Sequence, residues 1–274
     1  MEQHAHYNLL KVALTAVVEA SSEILTIYRD GFSPDYKSDG SPVTRADLAS
    51  NAVIERHLGN TNIPLLTEES LHASFEERQH WKQLWCVDPL DGTKEFIKKN
   101  DEFAINIALI DNHEPVLGII ASPVDNVALI GGRHIPPALV VFDRIHEPEN
   151  WHFLERKERP NSPVVIAGSR SPHSGPTLKF INDVKDRFGD CTFLKKGSAL
   201  KFFDLATGAA DMYPRFAPTM EWDIAAGQAI MESLGGTVTH AISGEPLRYN
   251  KANLFNPYFV VNSHAVQQHL DRHA

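Results

Sequence analysis

Residues 85–93 read Trp-Cys-Val-Asp-Pro-Leu-Asp-Gly-Thr, an apolar run that ends in two aspartates and a Gly-Thr pair. A short apolar run of this kind predicts a buried strand. Proline fixes its own φ and Gly92 permits a sharp bend, so the chain can curl back with Asp88 and Asp91 aimed at one point. The carbonyl oxygen of Leu90 can turn inward in the same curl. Such hard oxygen ligands are the kind that Mg²⁺ accepts.

Two further acidic segments stand at the ends of predicted elements. Residues 65–69 are a short apolar run that ends in Glu68 and Glu69, one of which can face a metal because successive extended residues point opposite ways. Asp223 follows Trp222 in the first turn of a predicted helix, where a negative charge is favourable in any case. Each feature alone is more typical of an ordinary turn, surface or helix start. Together they predict a polynuclear metal site.

The composition narrows the class of function. The chain has 274 residues, a net charge of −9 and two distant cysteines. The absence of a basic patch argues against binding a nucleic-acid polymer, whereas a small anionic substrate stays open because bound cations can reverse the local field. We find neither a transmembrane run nor a secretory signal, which predicts a cytoplasmic location and leaves peripheral association with the cytoplasmic face of the inner membrane open.

The order of periodic segments predicts an α+β half at residues 1–145 and an α/β half at residues 160–274. The proline-containing region 131–161 is interpreted as the connection between them, and the second half contributes Asp223. In the first half we predict helices at 9–30 and 44–59, strands at 63–66, 84–87, 103–110, 116–121 and 127–130, and a turn at 111–113. In the second half we predict strands at 164–167, 191–194 and 212–216, and helices at 175–188, 199–207 and 221–234.

The three acidic motifs, in this order, resemble those of the inositol monophosphatase superfamily, and the similarity runs over nearly the whole chain. The resemblance implies an α/β layered sandwich of α-β-α-β-α order, like fructose-1,6-bisphosphatase, and a Mg²⁺-dependent phosphomonoesterase with two or three ions. The implied metal ligands are Glu68, Asp88, the Leu90 carbonyl, Asp91 and Asp223. Glu68, Thr93 and Asp47 are implied catalytic residues, the last two by orienting the attacking water. Asp47 also completes a helix capping box with Thr44, and Lys37 matches a lysine near the family's site.

The second half resembles the bacterial CysQ branch, whose members act on adenosine 3′,5′-bisphosphate. The motifs are Gly197-Ser198-Ala-Leu-Lys201 and Tyr213-Pro-Arg215. A glycine and a serine before a helix can offer donors to an anion, and Lys201 and Arg215 could meet a 5′-phosphate that an inositol phosphate lacks. The implied substrate-binding residues are Gly92, Thr93, Ser169, Gly197, Ser198, Lys201, Arg215 and Asp223. The branch's histidine after Ser-Arg-Ser is displaced to His173.

Two alternatives stay open. An inositol monophosphatase would share the metal site but not the need for a second phosphate. A non-catalytic acidic module would bind divalent cations without releasing phosphate. The sequence predicts a small-molecule nucleotide as the partner and does not predict the oligomeric state.

Overall fold

The computed structural model describes residues 2–37, 40, 42–168 and 175–273. The helices of these residues are α1 Glu2–Asp30, α2 Arg45–Leu58, α3 Phe75–Arg78, α4 Thr93–Ile97, α5 Pro176–Phe188, α6 Lys201–Ala206, α7 Glu221–Ser233 and α8 His264–Arg272. The strands are β1 Asp35–Tyr36, β2 Pro42–Val43, β3 Leu65–Thr67, β4 Gln83–Asp91, β5 Ala104–Asp111, β6 Glu114–Ser122, β7 Val127–Gly132, β8 Ile135–Val141, β9 His152–Phe153, β10 Val164–Gly168, β11 Cys191–Lys195, β12 Met212–Arg215, β13 Thr237–His240 and β14 Phe259–Asn262.

Most strands belong to two large sheets. One has the order β3-β4-β5-β6-β7-β8-β9 and the other the order β11-β10-β12-β14-β13. In the first sheet β3 and β4 run parallel, and the remaining neighbours pair antiparallel. The predicted turn between β5 and β6 is a two-residue hairpin in which Asn112 and His113 both have positive φ. This conformation matches the twist of the flanking strands.

The two sheets and the main helices alternate in five layers. Helices α1 and α2 pack on one face of the first sheet, against residues such as Trp85 and Val87. Their strand neighbours Leu84 and Cys86 face the other way, into a core shared with α6, α7 and the second sheet. Helices α5 and α8 cover the outer face of the second sheet. The predicted α-β-α-β-α sandwich is therefore confirmed.

Helix α1 begins earlier than predicted and is amphipathic along its length. Leu10, Leu14, Val17 and Ile24 are completely buried at steps of three, four and seven residues. Their burial against the sheet, with polar residues on the opposite side, explains why so long a helix forms here. Among the residues that the structure describes, no helix combines the length and apolarity needed to cross a membrane.

The interpretation of residues 131–161 as only a connection is wrong for part of that region. Strand β7 extends to Gly132, and β8 and β9 continue the first sheet. Pro136 and Pro137 misled the prediction because proline cannot donate to a strand ladder. They lie where the β7–β8 register shifts, between the pairs formed by Ile130 and Gly132, and such irregularities tolerate proline.

The C-terminal elements β13, β14 and α8 were not predicted. They complete the second sheet and its outer cover. The division of the chain at residues 145 and 160 stays a prediction.

Candidate active site

The first two acidic motifs meet because β3 and β4 are parallel neighbours. Thr67 lies opposite Val87 in the ladder, and the backbone N–H of Glu68 donates to the Val87 carbonyl at 3.1 Å. The carboxyl ends of parallel strands lie at the same edge of a sheet, so Glu68 and Asp88 emerge side by side. This single strand pairing brings together Glu68 and Asp88, which are twenty residues apart in the sequence.

The curl predicted after Asp88 is present. The Asp88 Oδ1 atom accepts a hydrogen bond from the backbone N–H of Leu90 at 3.0 Å, and the Ser50 hydroxyl of α2 donates to the Pro89 carbonyl at 2.7 Å. Gly92 has a φ of +95°, and a Cβ there would lie 3.0 Å from a backbone carbonyl oxygen. Glycine is therefore required at the bend for two reasons, conformation and space.

Asp223 comes from the third residue of α7, where its Oδ2 accepts a hydrogen bond from the backbone N–H of Met220 at 2.8 Å. One carboxylate oxygen each of Glu68, Asp88 and Asp223 lies within 4.8 Å of the other two. Three acids from a strand end, a strand bend and a helix start therefore converge. We call Glu68, Asp88 and Asp223 the acid cluster.

The acid cluster holds more negative charge than its surroundings can stabilise. Burial, followed by the charges of Glu68, Asp91 and Asp223, raises the pKa of Asp88 well above its usual range. Burial and the Asp91 carboxylate raise the pKa of Asp223 to about 8. Closely spaced hard oxygen donors with this excess charge fit a divalent cation.

Lys37 contacts the edge of the acid cluster. Its Nζ donates to Glu68 Oε1 at 3.0 Å and to Glu69 Oε1 at 2.7 Å. The lysine predicted to lie near the site is thus beside it, and one glutamate of the pair faces the cluster.

Asp91 is close to the acid cluster but is not one of its three members. Its Oδ2 atom accepts hydrogen bonds from the Ser198 hydroxyl at 2.8 Å and from the backbone N–H of Ala199 at 2.5 Å. The side-chain amide of Asn106 approaches the same atom at 3.4 Å. The carboxylate of Asp91 therefore joins strand β4 to the second half of the chain, and its role as a metal ligand stays a prediction.

Asp47 forms the predicted helix cap and also contacts Thr93, and its role in orienting water stays a prediction. Its Oδ2 accepts from the backbone N–H and the hydroxyl of Thr44, each at 2.7 Å, which is the capping arrangement at the start of α2. Its Oδ1 accepts from the Thr93 hydroxyl at 2.9 Å. Thr93 Oγ1 also lies 3.4 Å from the Leu90 carbonyl. Burial raises the pKa of Asp47, and the hydrogen bonds from Thr44 and Thr93 oppose that rise.

A cavity of about 540 Å³ opens beside these residues. Its lining includes seven of the predicted site residues, Asp91, Gly92, Gly197, Ser198, Lys201, Arg215 and Asp223, and also Lys94, Glu95 and Lys98, which the sequence did not single out. Ser169 and His173 lie outside the described residues. The sequence contained no signal for Lys94 and Lys98 beyond their place after the bend.

The cations on the cavity wall differ in their surroundings. Lys201 is only 4% exposed, and its Nζ donates to the Ser198 carbonyl at 2.5 Å and to the Lys196 carbonyl at 3.3 Å. Burial lowers its pKa to about 8. Arg215 Nε is buried and finds no hydrogen-bond partner among the described residues, and one Nη approaches the Pro218 carbonyl at 3.4 Å. Its guanidinium therefore has an N–H available to donate a hydrogen bond to a ligand.

The donors predicted at Gly197 and Ser198 are already engaged. The backbone N–H of Gly197 donates to Glu102 Oε2 at 2.9 Å, and the Ser198 hydroxyl donates to Asp91. Glu102 is a residue that the sequence analysis missed, because nothing in a lone glutamate before a strand indicates a partner 95 positions away.

Comparisons with known proteins identify the family of the chain. The family model described as "Inositol monophosphatase family" matches residues 6–270. The 3′(2′),5′-bisphosphate nucleotidase CysQ of Escherichia coli (strain K12) is 39% identical over 249 residues, which cover 89% of this chain and 95% of that protein. The CysQ of Haemophilus influenzae is 30% identical over 259 residues, 93% of this chain and 92% of that protein.

Solved structures extend the comparison. CysQ from Bacteroides thetaiotaomicron, a bacterial member of the inositol monophosphatase family, matches with a TM-score of 0.82 and 37% identity over 94% of this chain and 97% of its own. The extragenic suppressor protein suhB from Bartonella henselae shares the fold, with a TM-score of 0.74 and 21% identity over 97% of both chains. The chain therefore belongs to the inositol monophosphatase family.

Proposed function

We propose that this protein is a Mg²⁺-dependent 3′(2′),5′-bisphosphate nucleotidase that removes the 3′-phosphate of adenosine 3′,5′-bisphosphate. The observation that carries the proposal is the acid cluster beside a cavity whose lining also includes Lys201 and Arg215. One end of the substrate needs a metal-binding set of acids, and its second phosphate needs cations. The name of the CysQ relatives supports this substrate class.

The acids have proposed roles in holding two or three Mg²⁺ ions. Glu68, Asp88 and the Leu90 carbonyl would hold one ion, and Asp88, Asp91 and Asp223 would hold another. A bound divalent cation supplies a more acidic water and electrostatic stabilisation of the phosphoryl transition state and the leaving oxygen. Asp91 would have to share its carboxylate between this task and the bonds it accepts from Ser198 and Ala199.

The chain's own contribution to water activation lies in Thr93 and Asp47. The Thr93 hydroxyl donates its hydrogen bond to Asp47 Oδ1. The lone pairs of the Thr93 oxygen therefore stay available to accept a hydrogen bond from water. Because Asp47 is buried and also held by Thr44, it offers the Thr93 hydroxyl a fixed acceptor at 2.9 Å, which is shorter than the 3.4 Å to the Leu90 carbonyl. We propose that a water held there attacks the phosphorus directly and in line.

The second phosphate distinguishes this proposal from the inositol monophosphatase alternative. Arg215 offers a buried N–H without a protein partner, and Lys201 lines the same cavity. An inositol monophosphate has no second phosphate that could bind these two cations, whereas the bisphosphate can bind them with its 5′-phosphate. The non-catalytic cation-binding alternative gains no support from a cavity of this size beside the acids.

Phosphate release tests the proposal. Purified protein is assayed with adenosine 3′,5′-bisphosphate, adenosine 3′-monophosphate and inositol 1-phosphate, each with Mg²⁺ and with EDTA. We expect Mg²⁺-dependent release, with the highest kcat/KM for the bisphosphate. Equal or better turnover of inositol phosphate would favour the alternative enzyme, and cation binding without any release would favour the non-catalytic module. A cytoplasmic location stays a prediction, and peripheral membrane association gains no support.

A further inference from the structure

The 196–199 loop, which precedes α6, is held by carboxylates from the first half of the chain. Glu102 Oε2 accepts from the backbone N–H of Gly197 at 2.9 Å, while Asp91 accepts from Ser198 and Ala199. Hydrogen bonds to an ionised acceptor are about twice as strong as neutral ones. Ser198 has a φ of +53°, which is unfavourable for a residue with a side chain. The two carboxylates stabilise a loop conformation that the loop's own sequence disfavours.

The backbone of Glu102 is fixed by the turn that precedes it. It follows a tight turn in which Lys99 and Asp101 both have positive φ, and its backbone N–H donates to Asn100 Oδ1 at 3.1 Å. The turn is tied to α1 through Tyr28, whose hydroxyl donates to Asp101 Oδ1 at 2.8 Å. A residue held this way can position another segment.

The loop in turn determines where the Lys201 ammonium stands. That ammonium donates to the carbonyls of Ser198 and Lys196, both of which belong to the loop. The loop therefore has carboxylates on its N–H groups and an ammonium on its carbonyl groups. Gly197 leaves room for this arrangement, since a Cβ there would lie 2.9 Å from Glu102 Oε2 and 3.0 Å from Glu95 Cγ. A shift of the loop moves the cation on the cavity wall.

We infer that Glu102 is a positioning residue for the second phosphate of the substrate, acting through the Gly197 N–H and the 196–199 loop on Lys201. The inference rests on the proposed function. Glu68, Asp88 and Asp223 have no hydrogen bond to this loop among the described contacts. Asp91 is the proposed metal ligand that does contact it, and it accepts from Ser198 and Ala199 rather than from Gly197. Because loss of Glu102 leaves the hydrogen bonds of Asp91 to Ser198 and Ala199 in place, it should affect recognition of the second phosphate more than the chemistry at the first.

The test uses Glu102→Ala and Glu102→Gln, with Glu23→Ala on the exposed face of α1 as the matched control. We expect Glu102→Ala to raise KM for adenosine 3′,5′-bisphosphate about tenfold with kcat within about twofold. Kinetics on adenosine 3′-monophosphate, which lacks the second phosphate, should stay at the wild-type level. The amide oxygen of Glu102→Gln can still accept from Gly197, so this variant should recover most of the affinity.

Two further measurements keep the inference falsifiable. Calorimetric binding of adenosine 5′-monophosphate, which carries only the second phosphate, should weaken in Glu102→Ala about as much as KM rises. In Gly197→Ala the added Cβ would lie 2.9 Å from Glu102 Oε2 and push that carboxylate away. This variant should show the same larger loss on the bisphosphate than on adenosine 3′-monophosphate, even if Glu102→Ala does not fold. Equal losses on both substrates in these variants, or Glu102→Ala indistinguishable from Glu23→Ala, would overturn the inference. A wild-type protein inactive on the bisphosphate would instead overturn the proposed function.

Discussion

The acid cluster and the 196–199 loop line or adjoin one cavity, but the charges in the two regions are arranged differently. At the acid cluster, Glu68, Asp88 and Asp223 bring like charges together. Among the described residues, the single lysine that contacts them, Lys37, pairs with Glu68 and leaves the other two acids uncompensated. At the loop, Glu102 and Lys201 are charges of opposite sign placed on complementary backbone groups. The first region needs a ligand to become electrostatically balanced, whereas the second is balanced by the chain itself.

The acid cluster therefore depends on cations from the surrounding solution, whereas the 196–199 loop is preorganised by the chain. A cation-dependent region should respond to Mg²⁺ in both stability and activity, since binding to the folded state alone stabilises it. The loop region should respond to the charges of the substrate and of its own side chains. Four changes separate the two behaviours, from the largest effect to the smallest.

Replacement of one acid of the acid cluster should abolish most of the turnover and weaken the response to Mg²⁺. Asp223→Asn should lower turnover roughly 10³-fold, because a ligand is lost where transition-state charge is stabilised. The metal-free variant should melt at the wild-type temperature or higher, since a buried carboxylate is removed. The increase in Tm on adding Mg²⁺ should shrink relative to wild type and to the exposed control Asp186→Asn. Full Mg²⁺ stabilisation together with normal turnover would contradict the assignment.

Removal of the hydroxyl beside the acid cluster tests water orientation without touching a proposed metal ligand side chain. Thr93→Val should lower kcat about 10²-fold with little change in KM, because the hydroxyl that bridges Asp47 to the water is lost. Thr93→Ser, which keeps the hydroxyl, should stay within about fivefold of wild type. If the valine variant retained wild-type kcat, neither Thr93 nor Asp47 could act through this bridge.

Replacement of Arg215 tests whether the cations on the cavity wall bind the second phosphate. Arg215→Gln should raise KM for adenosine 3′,5′-bisphosphate by about 10- to 30-fold, the typical cost of a lost charge-assisted hydrogen bond. Adenosine 3′-monophosphate should be hydrolysed as by wild type, and Arg187→Gln on the exposed face of α5 is the control. A loss shared by both substrates would place Arg215 with the reaction centre instead.

The pH profile gives the smallest of the four effects. Because the pKa of Lys201 is lowered to about 8, its ammonium is lost as the pH rises through that value rather than above 10. The kcat/KM for the bisphosphate, divided by that for adenosine 3′-monophosphate, should therefore fall about fourfold between pH 7 and pH 8.5. A ratio that stayed flat up to pH 9 would mean that Lys201 does not contact the second phosphate.

Much of the fold could be predicted because the decisive signals are local. Helical spacing of apolar residues predicted α1, the capping pair Thr44 and Asp47 predicted the start of α2, and the bend at Gly92 followed from proline and glycine stereochemistry. Strand β8 was missed because Pro136 and Pro137 argue against a strand unless a register shift accommodates them. That shift depends on the neighbouring strand, which no local pattern describes.

The site was predictable in the same uneven way. The sequence by itself determined which residues are the acids, that they stand at strand ends, a bend and a helix start, and that the chain resembles a phosphatase family. The tertiary structure decided that Glu68, Asp88 and Asp223 converge, that Asp91 faces Ser198, and that Glu102 holds Gly197. Burial and distance between chain-remote groups determine charge and hydrogen bonding, and both quantities exist only once the layers have packed.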